Sequence, residues 1–235
     1  MRLLALSFLM IILTASIVYS QGTGSDKQAV NTTASSTNGR DTETAVVDVT
    51  NPVTGQTWMD RNLGASRVAA SSTDSEAYGD LYQWGRAADG HQKRDSDTTS
   101  TLSRSDQPGH GNFILAHNEP NDWRSTQNDN LWQGINGVNN PCPSGYRLPT
   151  ESEWDSERQS WARNDAIGAL ASPLKLPLTG VRRSTGSLFN VGSGGYYWSS
   201  TVTGSSTRYL LFSSNGAGML TGSRVSGGSV RCIKD

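Results

Sequence analysis

Thiol and imidazole side chains are the first candidates for chemistry in this sequence, and both are scarce. The chain has two cysteines, Cys142 and Cys232, and three histidines, His91, His110 and His117. Thiolate zinc sites use closely spaced pairs such as CxxC, and helical zinc sites use HExxH; neither motif occurs here. Ser, His and Asp residues also occur without a nucleophile-elbow motif. The spacing therefore predicts neither a transition-metal site nor a catalytic triad.

The first 20 residues have the pattern of an export signal, with Arg2, an apolar stretch over residues 3–18 and small residues before Gln21. An uncleaved anchor is the alternative, but the apolar stretch is shorter than the roughly 20 residues that span a bilayer. We expect a secreted, periplasmic or cell-surface protein with no stable membrane insertion after signal cleavage. In an oxidising compartment, two cysteines without companions most simply form one disulfide, Cys142–Cys232. Closing so long a loop contributes roughly 4 to 5 kcal/mol in the chain-entropy treatment.

Composition narrows the function classes further. The formal net charge is -1 and only 17% of residues are charged, so no global field attracts nucleic acid or an anionic membrane. Frequent Gly, Ser, Thr and Asn residues predict many turns and short strands. Residues 21–45 lack large apolar side chains and predict a flexible linker. One domain is predicted over residues 46–235.

The pattern of apolar residues predicts the elements of this domain. Strands over residues 45–49 and 57–59 should form an amino-terminal hairpin, and residues 89–112 a long loop. Trp123 and Trp132 are expected in the core. Thr150 and Glu153 form a capping-box pattern at the start of a helix that should end between residues 164 and 168.

The carboxy-terminal part has the alternation of strands. Leu174, Leu176 and Leu178 predict a strand with one buried face and an edge position at Pro177. Four antiparallel strands are predicted over residues 195–201, 208–213, 218–221 and 229–234, with a turn that requires positive φ at Gly216. The side chains expected to be buried in this sheet are Tyr197, Tyr209, Leu211 and Val230.

Five ordered segments carry a resemblance to a known family: GQTWMDRNLGA (55–65), GDLYQWGR (79–86), NNPCPSGYRLPTE (139–151), GYYWSS (195–200) and SVRCIKD (229–235). The pattern is similar to the Fibrobacter succinogenes major paralogous domain, and it covers residues 46–235. The resemblance implies an α+β, C-type-lectin-like fold with short antiparallel strands and one or two helices, in an exported bacterial protein. It also implies kinship with formylglycine-generating sulfatase-modifying proteins and with variable receptors diversified by retroelements.

The two kinds of relative suggest different functions. The sulfatase-modifying proteins share RLPTESEW (147–154), but their oxidase chemistry needs redox-active cysteines with copper, whereas we expect Cys142 and Cys232 in a structural disulfide. We therefore expect no enzyme and no cofactor. Glu119-Pro120-Asn121 matches the calcium-binding tripeptide of mannose-type C-type lectins. There the tripeptide follows the helices, whereas here it precedes them, so we interpret it as a loop turn and expect no bound metal.

The variable receptors display exposed side chains from their carboxy-terminal strands on a rigid frame, which limits the entropy lost on binding. The corresponding stretch here is residues 180–228. Its candidate ligand-binding residues are Arg182, Arg183, Asn190, Tyr196, Arg208, Asn215, Met219, Arg224 and Ser226. The predicted function is binding of an unknown protein or glycan ligand at the cell surface, with no nucleic-acid partner. A structural or adhesion role is the alternative, and a formylglycine-generating-type oxidase is the second alternative.

Overall fold

The computed structural model describes residues 44–118 and 121–235, and these fall within one compact unit. The predicted signal over residues 1–20 and the predicted linker up to residue 43 lie outside the described residues, as do Glu119 and Pro120 of the tripeptide. Thr44 is buried, and its Oγ1 accepts a hydrogen bond from the Gly64 amide at 2.7 Å. The packed domain therefore includes this residue, slightly ahead of its predicted start.

Short strands and two α-helices make up the described chain, as predicted for an α+β fold. Apart from isolated bridges, every strand pairing is antiparallel except that of β4 with β5. The strands are β1 (Asp48–Thr50), β2 (Thr57–Met59), β3 (Tyr82–Gln83), β4 (Thr98–Thr99), β5 (Phe113–Ile114), β6 (Tyr146–Arg147), β7 (Val181–Arg182), β8 (Leu188–Phe189), β9 (Gly194–Thr203), β10 (Ser206–Ser213), β11 (Gly216–Gly222), β12 (Gly227–Gly228) and β13 (Ile233–Lys234); the helices are α1 (Glu151–Gln159) and α2 (Ala166–Ala171), with a 3-10 turn at Ser75–Ala77.

The first sheet joins the beginning of the domain to its end. Its strand order is β1-β2-β13-β6, and β1 and β2 form the predicted amino-terminal hairpin with Val49 opposite Trp58. Ile233 of β13 lies between Trp58 of β2 and Arg147 of β6. The last residues of the chain are thus held by backbone hydrogen bonds on both sides, and the frame is closed.

The predicted disulfide is confirmed. Cys142 and Cys232 are bonded across a separation of 90 residues, with their Cα atoms 5.9 Å apart. Both are fully buried in a core cluster that contains Met59, Tyr146 and Trp198. The bond fixes the loop before β6 to the segment before β13, so it reinforces the frame that the first sheet closes.

The predicted helix start is confirmed, whereas the predicted helix end is wrong. The Thr150 side chain accepts a hydrogen bond from the Glu153 amide, and the Glu153 carboxylate accepts from the Thr150 amide at 2.7 Å. α1 ends at Gln159, with Ser160 as its C-cap, and a separate helix, α2, begins at Ala166. The Asp165 carboxylate caps α2 by accepting from the amides of Ile167 and Gly168, so α1 is shorter than predicted and a second helix follows it.

The strand predicted over residues 174–178 does not form. Leu174, Leu176 and Leu178 are all buried as the alternation indicated, but they belong to an irregular extended segment. The Leu176 amide bonds to the Ala169 carbonyl at the end of α2, and Lys175 has a φ of 50°. Alternating apolar residues indicate that one side of a segment is buried. Here the three leucines are buried although, among the described residues, no strand pairs with this segment.

The predicted core tryptophans and the first three of the four predicted carboxy-terminal strands are confirmed. The fourth, predicted over residues 229–234, is a strand only at Ile233–Lys234 and belongs to the first sheet instead. Trp123 and Trp132 are fully buried. β9, β10 and β11 form a sheet in the order β11-β10-β9, and the turn before β11 places Gly216 at a φ of 148°. The prediction that Tyr209 and Leu211 are the buried residues of β10 is wrong. Leu210 is fully buried, whereas Tyr209 and Leu211 are only half-buried.

The period of two along the strands separates this sheet into two faces. Tyr197, Leu210 and Phe212 pack into a hydrophobic cluster that includes buried residues of both helices. Tyr196 and Tyr209, one residue out of phase with them, point to the opposite face. That opposite face carries the cleft described below.

Candidate binding cleft

A cleft of about 260 Å³ opens on the face of the meander that points away from the helices. β9 and β10 supply its floor, the β7–β8 hairpin forms one wall, and the loop between β11 and β12 forms the other. It is lined by Val181, Arg183, Phe189, Tyr196, Trp198, Tyr209, Gly222, Ser223, Ser226 and Gly228. All of these lie within the stretch from which the sequence predicted a binding face.

The floor of the cleft is aromatic and firmly held. Tyr196 and Tyr209 stack with ring centroids 6.0 Å apart and an interplanar angle of 23°, and Trp198 meets Tyr209 edge-on at 5.7 Å. Trp198 Nε1 donates to the Tyr82 carbonyl at 2.7 Å, which anchors the indole in the core. Aromatic side chains fixed in this way offer ring faces to a ligand without losing rotamer freedom on binding.

The hydroxyl groups of the floor remain available for hydrogen bonding. Asn190 Nδ2 donates to Tyr196 Oη at 2.8 Å, which leaves the Tyr196 hydroxyl hydrogen free to donate elsewhere. Burial, helped by the neighbouring Tyr196, raises the pKa of Tyr209 above its usual value. Tyr209 is therefore neutral at physiological pH and keeps its donor.

One wall carries a cation lying over an aromatic ring. Phe189 of β8 is paired with Val181 of β7, and Arg183 lies two residues beyond Val181 on the same face. The Arg183 guanidinium carbon is 3.4 Å from the centroid of the Phe189 ring. No carboxylate within residues 44–118 or 121–235 forms an ion pair with Arg183, so its in-plane N–H donors are open to a ligand.

The other wall presents two serine hydroxyls at the ends of one turn. The Ser226 amide bonds to the Ser223 carbonyl at 3.1 Å, and the two Oγ atoms are 3.2 Å apart. Arg224 and Val225, in the middle of the turn, are directed into the protein and are almost fully buried. Because the turn is anchored through its central residues, its two hydroxyls are fixed at the rim of the cleft.

The structure brings four of the nine predicted residues together. Arg183, Tyr196 and Ser226 line the cleft, and Asn190 holds the hydroxyl of Tyr196. These residues come from the β7–β8 hairpin, from β9 and from the loop before β12, so only the folded chain makes them neighbours.

Two of the predicted residues are buried, and the expectation that they face solvent is wrong. Arg182 is 4% exposed, lies 4.3 Å from the centroid of Phe113 and donates to the side chain and carbonyl of Ser96. Arg224 is 1% exposed, lies over Trp84 at 4.8 Å and donates to Asp129 at 2.5 Å. Both guanidinium groups are directed inward, where rings and polar groups of the core hold them.

The remaining three predicted residues lie away from the cleft. Arg208 pairs with Glu151 at 2.6 Å, on the side of the sheet that carries α1. Met219 is opposite Leu210 and packs against the same cluster as that residue. Asn215 is exposed in the turn between β10 and β11. The nine residues therefore do not form one face.

Sequence reasoning missed several residues of the cleft: Phe189, Trp198, Tyr209 and Ser223 line it but were not predicted as site residues. Tyr209 was assigned to the core, since aromatic residues occur on both faces of β9 and β10 and the pattern does not separate them. One sequence feature could have indicated the cleft. Arg183 and Phe189 lie at the two ends of a short segment that forms a hairpin, so a cation and an aromatic ring could be expected to meet there.

Comparison with known proteins finds no match for this chain among protein-family models, curated proteins or solved structures. Within residues 44–118 and 121–235, no helix is long and apolar enough to cross a membrane. In that same part of the chain, no three His, Cys, Asp or Glu side chains are grouped as metal ligands. The cleft is therefore interpreted from its own geometry.

Proposed function

We propose that this chain is an exported binding protein whose carboxy-terminal face holds a ligand in the cleft over Tyr196 and Tyr209. The observation that carries the proposal is the pairing of a rigid aromatic floor with Arg183, whose guanidinium has no hydrogen-bond or ion-pair partner among the described residues. Pockets of this composition, apolar with a few placed polar groups, are typical of ligand sites.

The proposal includes membership in the Fibrobacter succinogenes major paralogous domain family and a C-type-lectin-like fold. Two observations support it: the α+β arrangement whose last strand lies between β2 and β6, and the buried Cys142–Cys232 bond that closes the frame. The signal-like first 20 residues support a secreted, periplasmic or cell-surface location. A non-enzymatic role is favoured because both cysteines are bonded.

A structural or adhesion role is the second candidate, and one observation favours it. Leu188, Phe189 and Val191 on the β7–β8 hairpin are exposed by 44%, 39% and 45%. Clustered apolar side chains at a surface favour contact with another macromolecule. In this case the exposed apolar side chains of β8 and Val191 would bind the partner and the cleft would stay empty.

A ligand screen of the secreted protein on glycan and peptide arrays, and against outer-membrane extracts, tests the proposal. Arg183→Ala and Tyr209→Ala alter the cleft, and Asn215→Ala is the matched surface control. We expect binding by the unmodified protein and by Asn215→Ala, and loss in both cleft variants while their thermal midpoints remain within a few degrees. Uniformly absent binding overturns the proposal, and binding that needs Leu188 but not Arg183 favours adhesion.

A further inference from the structure

The charge of the cleft is set by one residue. Among the described residues that line the cleft, Arg183 is the only Lys, Arg, Asp or Glu. Nearby arginines differ: Arg208 is paired with Glu151 and Arg224 with Asp129. Arg183 is left with an aromatic ring beneath it and no counter-ion within the described residues.

This arrangement suits a carboxylate. A guanidinium stacked on a ring through its face keeps its in-plane N–H groups free, and those groups match the two oxygens of a carboxylate. Phe189 supplies the ring, and the hairpin bond from the Gly186 amide to the Arg183 carbonyl at 2.8 Å fixes the backbone that carries the cation. Arg183 is exposed, so water solvates its N–H groups in the empty cleft, and a carboxylate can replace that water with two charge-assisted hydrogen bonds.

The size of the cleft limits the rest of the ligand. A volume of about 260 Å³ is below the roughly 300 to 1,000 Å³ of sites for drug-sized molecules. It exceeds the roughly 150 Å³ that holds a benzene ring. One six-membered ring with a substituent fills it, and a longer chain must continue outside.

The two remaining surfaces indicate what kind of ring this is. The stacked rings of Tyr196 and Tyr209 line one side of the cleft, and the hydroxyls of Ser223 and Ser226 line the other. A sugar ring has an apolar face of C–H groups and an edge of hydroxyls, so it satisfies both surfaces. The two serine hydroxyls bond to each other at 3.2 Å, which leaves one hydroxyl hydrogen and the remaining lone pairs for a ligand. A sugar hydroxyl can use these groups, whereas a plain aromatic ring cannot.

We infer that the cleft binds an acidic sugar residue, with the carboxylate of a uronic acid on Arg183, its apolar face on the tyrosines and its hydroxyls at Ser223 and Ser226. This inference rests on the proposed function and names the ligand class of that same site. Free sugars and the terminal residues of surface polysaccharides share this chemistry, and a titration with each distinguishes the two sources.

The test is an NMR titration of the secreted protein with glucuronate, galacturonate, glucose and benzoate, followed by an oligomer of uronic acids. Arg183→Gln removes the cation, and Arg104→Gln removes another exposed arginine that does not line the cleft. We expect one or both uronates to shift cleft resonances, with affinity about tenfold to 100-fold weaker in Arg183→Gln and unchanged in Arg104→Gln. A gain in affinity for the oligomer assigns the site to polysaccharide, and equal affinity assigns it to the free sugar.

Three outcomes overturn the inference alone, and a fourth overturns it together with the proposed function. Glucose that binds as tightly as the uronates shows that the charge is not used, and benzoate that binds when uronates do not shows that the site takes an aromatic acid. Absence of uronate binding, while an array ligand is lost in Tyr209→Ala, refutes the sugar class and leaves the proposed function standing. If no ligand of any class depends on the cleft, both fail together.

Discussion

The guanidinium of Arg183 lies 3.4 Å above the ring of Phe189, on a hairpin whose two strands are held in register by the pairing of Val181 with Phe189. Arg183 follows β7 and Phe189 lies on β8, yet their side chains form one surface at the edge of the cleft. A cation held over a ring gains roughly 0.5 to 1 kcal/mol at an exposed site. The ring therefore positions the cation for a ligand while contributing little to the stability of the whole fold.

Phe189→Ala should weaken cleft binding without unfolding the domain. The ring is 39% exposed, so its removal should lower the free energy of unfolding by no more than about 1 kcal/mol. Ligand affinity should fall more, because the Arg183 guanidinium no longer has the ring that orients it. Leu188→Ala is the matched control, since Leu188 is 44% exposed on the same strand and does not line the cleft. Titration of both variants with the same ligand separates the two effects, and equal losses would contradict the assigned role of Phe189.

Gly222→Ala should close part of the cleft floor. A Cβ at this position would lie 2.9 Å from Cε1 of Tyr209, so the tyrosine ring must shift. Overpacking of this kind costs roughly 1 to 3 kcal/mol. Gly218→Ala on the same strand is the control, because nothing lies within 4 Å of a Cβ there. Near-ultraviolet circular dichroism and ligand titration should change in the first variant alone; an unchanged tyrosine signal in Gly222→Ala would contradict the packing.

His91 should make the domain less stable in mildly acidic solution. Its Nε2 accepts a hydrogen bond from the Gln83 amide at 3.0 Å, and its Nδ1 lies 2.6 Å from Asp89 Oδ1. Burial lowers the pKa of His91 from 6.5 to about 4, and the opposing effect of Asp89 is smaller. The unfolded chain thus takes up a proton at a higher pH than the folded chain does.

Stabilisation from neutral His91 is complete above about pH 6.5 and is lost as the pH falls towards 4, by up to about 3 kcal/mol at roughly 1.4 kcal/mol per pKa unit. Urea unfolding at a series of pH values measures this slope. In His91→Gln the slope over this window should flatten, whereas His117→Gln, at an exposed histidine, should keep it. A slope that persists in His91→Gln would assign it to other groups.

Loss of the disulfide should lower stability by about 4 to 5 kcal/mol, because the bond closes a loop across 90 residues. The paired substitution Cys142→Ser with Cys232→Ser removes it, and denaturant unfolding measures the change. Reduction of the unmodified protein should give a similar loss, which distinguishes the missing bond from the effect of buried serines. A change below about 1 kcal/mol would show that the first sheet closes the frame without the bond.

Sequence alone determined the features that depend on local pattern. The capping box of Thr150 and Glu153, the turn at Gly216 and the pairing of the only two cysteines each follow from residue types at short spacing or from a simple count. The α+β class was what the family resemblance implied, and the short strands and two helices of the described chain agree with it. These features need no knowledge of which segments meet in space.

Features that depend on distant neighbours were beyond the sequence. Leu174, Leu176 and Leu178 alternate like a strand, but no partner strand lies beside them, and Asp165 caps a second helix rather than lying within the first. Arg182 and Arg224 resemble surface residues by type and position. They are buried because Phe113 and Trp84 provide ring faces beneath them.

The candidate site shows the same division. The resemblance to variable receptors predicted a binding face within residues 180–228. Only the tertiary structure decided that Arg183, Tyr196 and Ser226 share a cleft while Arg208 and Met219 lie on the opposite side of the sheet. The physical reason is that successive side chains on a strand point to opposite faces of the sheet. Residues of similar type that are one position apart therefore lie either in the cleft or in the core.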